Sequence, residues 1–124
     1  MQIITFGAED IANSIAGLSP RDLDGLPFGV VQLDSTGRII LYNKAEGKLA
    51  RFDPESAIGK NFFTEVAPCT NVVGFRDQFD QGVRSGQLNV VLEWQFTGEN
   101  MPLVQVHMKK AKVDNRFWLF IKRL

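Results

Sequence analysis

Apolar and polar residues alternate along parts of this chain and recur every three to four residues in others, and the change of rhythm marks out its elements. Leu88, Val90, Leu92, Trp94 and Phe96 alternate with Asn89, Val91, Glu93 and Gln95, the pattern of a half-buried strand. Val104, Val106 and Met108 repeat it against Gln105, His107 and Lys109, and residues 117–124 supply a last strand rich in aromatic and aliphatic side chains. Residues 97–102 and 113–116 are the predicted turns. Upstream, the apolar runs Phe28-Gly-Val-Val-Gln-Leu33 and Arg38-Ile-Ile-Leu-Tyr42 flank Asp34-Ser-Thr-Gly37, which predicts a β-hairpin.

Helical spacing takes over elsewhere. Phe75, Phe79 and Val83 recur every four residues, with Arg76, Asp77, Asp80 and Arg84 between them and Gly86 as a stop, so one longer amphipathic helix is expected here. Three shorter helices announce themselves by their starts. Ser19-Pro20-Arg21-Asp22 offers a cap, a proline at the first helical position and an acid near the positive helix end, and Gly25 ends it. Asn43-Lys-Ala-Glu46 has the form of a capping box, and Gly47 keeps that helix short. Asp53-Pro54 followed by Gly59 repeats the same grammar. Ile11, Ile15 and Leu18 give the N-terminal segment a buried face.

This order predicts an α+β fold: a five-stranded antiparallel sheet with short helices and one longer helix on one face, plus an N-terminal helical cap. Residues 1–27 form the cap and 28–124 the core of a single domain. A pocket between sheet and short helices is expected to be lined by Phe62, Phe63, Phe96 and the loop carrying Cys69.

Composition removes several function classes. Length of 124 residues with 44% hydrophobic content suits one globular domain, and fourteen basic residues cancel fourteen acidic ones. No overall field draws in nucleic acid or an anionic membrane, and no run approaches the length of a membrane span. A cytoplasmic monomer or weak dimer is the expectation. One cysteine and one histidine exclude an intrachain disulfide and a zinc site of usual composition. Ten phenylalanines accompany a single tyrosine, so Tyr42 is the one phenol whose hydroxyl must find a partner if buried.

Each singled-out residue also has an ordinary reading. Cys69 can be a small buried hydrophobe. Glu46 can be the return partner of Asn43 in the capping box, and Tyr42 a strand-end aromatic. His107 falls opposite Val106 and Met108 and reads as lying on the solvated face or satisfied at its edge, with no catalytic role, and Lys109-Lys110 and Lys122-Arg123 read as solvated strand ends.

Taken together, Tyr42-Asn43-x-Ala45-Glu46-Gly47, Ile58-Gly-Lys-Asn-Phe-Phe63, Val66-Ala-Pro-Cys-Thr70 and Val106-His-Met-Lys-Lys110 resemble the photoactive yellow protein family, bacterial blue-light receptors of the PAS fold. The resemblance runs from Phe6-Gly7 to the last strand with nearly constant spacing. It implies a non-enzymatic photoreceptor carrying 4-hydroxycinnamic (p-coumaric) acid as a thioester on Cys69. The phenolic oxygen would lie near Tyr42 and Glu46, with Ala50, Phe52, Phe62, Phe96 and Met101 completing the chromophore site. It also implies trans-to-cis photoisomerisation, proton transfer from Glu46 to the phenolate, loosening of the N-terminal side as the signal to a downstream protein, and thermal recovery.

Several positions depart from the family's pattern. Ala50 stands where a threonine commonly bonds the tyrosine, Phe52 replaces an arginine, and Trp94 is larger than the usual aromatic. In the 97–102 loop a tyrosine is missing at position 98 and Met101 falls one place nearer the proline, which bears on recovery rate. Two other readings stay open: a PAS module binding a noncovalent ligand or partner without photochemistry, and a cysteine acyltransferase or hydrolase pairing Cys69 with His107.

Overall fold

The computed structural model describes Ile15 and residues 18–113 and 115–124. The expected apolar position Ile11 lies outside these.

Strands β1 (Gly29–Leu33) and β2 (Ile39–Tyr42) form the expected hairpin. Its turn is tied by Asp34, whose Oδ1 accepts from the backbone N–H groups of Thr36 and Arg38 and from the Thr36 hydroxyl. Strands β3 (Asn89–Gln95), β4 (Leu103–Lys110) and β5 (Phe117–Arg123) follow as an antiparallel meander. The sheet order is β2-β1-β5-β4-β3, so the last strand inserts beside the first and carries the middle of the sheet.

Helix α1 (Pro20–Asp24) begins with a full capping box between Ser19 and Asp22. Helix α2 (Lys44–Ala50) is capped by Asn43, and α3 (Pro54–Ala57) by Asp53, whose carboxylate accepts from the Glu55 N–H and the Ser56 hydroxyl. The longer helix α4 (Arg76–Ser85) ends at Gly86 in the left-handed region, φ +72°. Between α3 and α4 lie a π-helical turn (Phe62–Val66) and a 3-10 turn (Pro68–Thr70) that the apolar pattern does not reveal. Asn61 starts the former by accepting from Phe63 N–H and Thr64 N–H.

Alternate residues of the sheet build two cores. Val31, Leu33, Val104, Val106, Met108, Phe117, Leu119 and Ile121 meet the helices and turns on the inner face. There Phe62, Phe63, Phe75 and Phe79 pack ring against ring, with centroid separations from 5.2 to 6.2 Å. The outer face is apolar as well: Phe28, Val30, Trp118 and Phe120 pack with Ile15, Leu18, Leu23 and Leu26. Ile15 and the segment 18–26 therefore cover a second face of the sheet. This explains why residues 117–121 form an unbroken apolar run, buried on both sides.

His107 corrects the expectation of a solvated histidine. It is buried, its Nε2 lies 2.8 Å from Oδ1 of Asn89, and its ring faces Phe120 at 6.0 Å. The strand alternation places it on the outer face as expected, but that face is covered rather than wet. Burial, with a smaller contribution from Lys109, holds its pKa below the usual histidine value.

Candidate functional site

Tyr42 ends β2 and Asn43 turns the chain directly into α2, which brings Glu46 in the first helical turn back over the start of β1. Asn43 fixes that junction with all four of its side-chain bonding positions. Its Oδ1 accepts from Val30 N–H (2.9 Å) and Glu46 N–H (3.1 Å), and its Nδ2 donates to the carbonyls of Leu23 (2.8 Å) and Phe28 (3.2 Å). One buried amide thus joins the segment of α1, strand β1 and the helix carrying Glu46.

The capping-box reading of Glu46 fails at its second half. The Asn43 N–H donates to the Val30 carbonyl (3.0 Å), so the Glu46 side chain has no free amide to return to. Its carboxyl instead points into the protein, fully buried, and both oxygens lack a hydrogen bond to any described residue. Burial drives its pKa well above the ordinary carboxylate value, because an ionised carboxylate here would forfeit several kcal/mol of hydration. Burial without a hydrogen-bond partner among the described residues favours the protonated form of Glu46.

The Tyr42 hydroxyl is also buried and without a hydrogen bond among the described residues. Desolvation, then the neighbouring Glu46, raise its pKa far above that of a free phenol, so it too is a neutral donor. Two buried O–H groups with no hydrogen bond among the described residues are poor design for stability alone, since each such polar group costs about 1–3 kcal/mol. They are well suited to a buried anionic acceptor between them, where charge-assisted bonds are roughly twice as strong as neutral ones.

The remaining expected residues converge on the same core. Phe62 and Phe96 are buried with Tyr42 in the inner cluster, and Phe52, Cys69, Met101 and Trp94 pack against it, partly buried. Phe52 faces the Tyr42 ring at 6.4 Å and carries the Lys60 ammonium 5.7 Å from its own centroid. Cys69 is a free, half-buried thiol in the 3-10 turn, not in an irregular loop. That turn is anchored by Thr70, whose hydroxyl donates to the Ala67 carbonyl at 2.7 Å. Ala50 closes α2, half-buried, and brings no hydrogen-bonding side chain to the Tyr42 hydroxyl. Phe63, expected at the pocket wall, lies deeper, wedged among Phe62, Phe75 and Phe79.

Cys69 and His107 do not form a nucleophile and base. The thiol packs on the inner face of the sheet while the imidazole lies on the outer face against Phe120. Gly29 is the site residue that the sequence argument missed, because its backbone lies directly against the Glu46 carboxyl. A glycine within the apolar run at 28–33 was the available signal, since a strand glycine often marks close approach by another group.

Comparison with known proteins gives the family. A family model described as the PAS fold matches residues 21–121. Photoactive yellow protein of Halochromatium salexigens is 48% identical over 125 aligned positions, covering the whole of both chains. That of Rhodothalassium salexigens is 44% identical over the same extent. The chain belongs to the photoactive yellow protein family. In solved structures, the photoactive yellow protein domain of the sensor histidine kinase Ppr from Rhodospirillum centenum superposes with a TM-score of 0.87 at 41% identity, covering 91% of this chain and 100% of that one. Membership makes this chain a chromophore-bearing photoreceptor on a PAS scaffold, not an enzyme. Among the described residues no helix is long and apolar enough to cross a membrane.

Proposed function

We propose that this protein is a blue-light photoreceptor holding p-coumaric acid as a thioester on Cys69, with the phenolic end between Tyr42 and Glu46. The observation that carries the reading is the pair of buried side chains, Tyr42 and Glu46, whose oxygens have no hydrogen bond among the described residues, in the same core as a free thiol. That donor set fits a phenolate. The group would supply a double bond that light isomerises from trans to cis. The residues do the rest. Cys69 Sγ would attack the activated acyl carbon of the acid, the new C–S bond replacing the bond to the activating group, which leaves with the thiol proton; the product no longer has a free carboxylate that would be costly to bury. Tyr42 and Glu46 would hold the phenolic oxygen as an anion by donating to it, and Phe52, Phe62, Phe96 and Met101 would keep water away. Glu46 would be the proton donor to that oxygen once the alignment is lost.

A buried Glu46 carboxylate with no counter-charge is a high-energy state. Its relief has a route, because Asn43 ties the Glu46 helix to Leu23 and Phe28 on the N-terminal side. Residues 1–27 serve as a helical cap on the core at 28–124, and loosening of that cap is the signal read by a downstream signalling protein. Return of the proton and the trans geometry in darkness makes the cycle reversible. A free attachment thiol suits a reducing compartment, so we place the protein in the cytoplasm as a monomer or weak dimer.

The test is reconstitution with activated p-coumarate. Wild-type protein should gain one acyl adduct on Cys69, turn yellow, bleach in blue light and recover in the dark, while Cys69→Ala stays colourless. Absence of the adduct by mass spectrometry sinks the proposal.

A further inference from the structure

The loop joining β3 to β4 brings Met101 to the rim of the site and is held from two sides. From within, Nε2 of Gln95 donates to the carbonyls of Phe96 (3.1 Å) and Met101 (2.8 Å). From the other side, the Arg51 guanidinium reaches partners 48 and 49 residues away in sequence: Nη1 donates to the Glu99 carbonyl at 3.1 Å and Nη2 to the Asn100 carbonyl at 3.4 Å. The loop backbone between these supports is unusual, with Gly98 at φ +127° and Asn100 at φ +58°. A Cβ at position 98 would come within 2.9 Å of Met101 Cγ, so the placement of Met101 depends on this loop shape.

Arg51 itself sits in the left-handed region, φ 56° and ψ 48°, just after α2. Phe52 N–H closes the helix end by donating to the Gly47 carbonyl at 3.0 Å. Glycine is the residue this turn favours, because a Cβ is strained there. An arginine kept in such a conformation calls for a return from its side chain. The turn sends two neighbours different ways: Phe52 toward Tyr42, Arg51 to the loop. A planar guanidinium can address two adjacent carbonyls at once, which a lysine ammonium does poorly.

We infer that Arg51 is a positioning residue, its fork pinning the Glu99 and Asn100 carbonyls to the end of α2 so that the Met101 loop and the Glu46 helix keep a fixed spacing over the Tyr42 site. The clamp is a property of the protein chain, and its consequence for dark recovery rests on the photoreceptor reading above.

Hydrogen exchange on the full chain, without and with p-coumarate, tests it in Arg51→Gly, Arg51→Ala and Arg51→Lys. Glycine relieves the backbone while removing the fork, alanine removes the fork only, and lysine leaves a single cation. Amides of residues 98–101 should exchange about tenfold faster in the glycine and alanine variants and less so in the lysine variant, the loss expected for charge-assisted bonds in a partly exposed setting. Amides of α2 should be unchanged or slower in Arg51→Gly. In pigmented protein, dark recovery should shift by at least about threefold in both fork-less variants, a change on the scale of that lost loop restraint. Wild-type loop exchange in Arg51→Gly, or equal acceleration in α2, overturns the clamp. A loosened loop with unaltered recovery overturns its coupling to the site. Failure of the chain to take up pigment would count against the photoreceptor reading alone, because the unpigmented exchange data still decide the clamp.

Discussion

A methyl group on Gly29 would collide with Oε1 of Glu46. The first residue of β1 and the acid of α2 thus share one space, and the carboxyl is held by backbone contact instead of by a hydrogen bond.

Gly29→Ala should therefore displace the Glu46 side chain and destabilise the protein by about 1–3 kcal/mol, as overpacking does. Urea denaturation of the single variants and of Gly29→Ala with Glu46→Ala checks this. The double variant should lose clearly less than the sum, because truncating Glu46 vacates the contested space.

Burial raises the Glu46 pKa in the folded protein above its unfolded value of 4.5. As pH climbs past that value, the unfolded chain releases the proton and the folded chain keeps it, so stability falls with pH until the folded group also ionises. In unpigmented protein the slope approaches about 1.4 kcal/mol per pH unit for one proton. Glu46→Gln should abolish that part of the slope and be more stable than wild type at alkaline pH. Parallel pH slopes for the two proteins in denaturant titrations would disprove a buried neutral Glu46.

Tyr42→Phe separates the unpigmented from the pigmented state. Without pigment it deletes an unpaired buried hydroxyl, so the melting point should hold or rise. With pigment it removes one of two donors to the phenolate, and the pH at which yellow colour is lost on acidification should rise by about one unit, near 1.4 kcal/mol. An unshifted acid transition would show that Tyr42 does not touch the phenolic oxygen.

The pKa of His107 is lowered on folding from 6.5, so its contribution runs the other way. Above that pH both states are neutral and the contribution is whole. As pH falls, the unfolded chain takes up a proton first and stability drains away through the folded pKa. His107→Gln should flatten the stability profile just below pH 6.5, the unfolded value. Thermal melts from pH 5 to 7 would reveal the difference, and an unaltered wild-type profile would place the titration elsewhere.

Much of the fold was legible because its signals are local. Ser19, Asn43 and Asp53 cap the helices where their spacing predicts, and Gly86 stops α4 as expected. The strand alternation at 88–96 and 104–109 reproduces the observed strands to within a residue or two at each end. Tyr42, Glu46 and Cys69 stood out through likeness to a family, not through any local rule, and that likeness is what the comparisons bear out for the family. What escaped the sequence depends on partners distant along the chain. His107 looked solvated because strand alternation assigns a face but not what covers it. Glu46 looked like a cap because the competing bond, Asn43 N–H to Val30, exists only once α2 lies on β1.

The strands, the capped helices and the residue types available for chemistry follow from periodicity, backbone preference and composition, all of them legible along the chain. Which of these residues lose water depends on how distant segments pack. Packing α2 against Gly29 buries Glu46 as a neutral acid, and folding the β3–β4 loop back to α2 gives Arg51 its carbonyls. Desolvation is set by every neighbour at once, and no stretch of sequence contains them all.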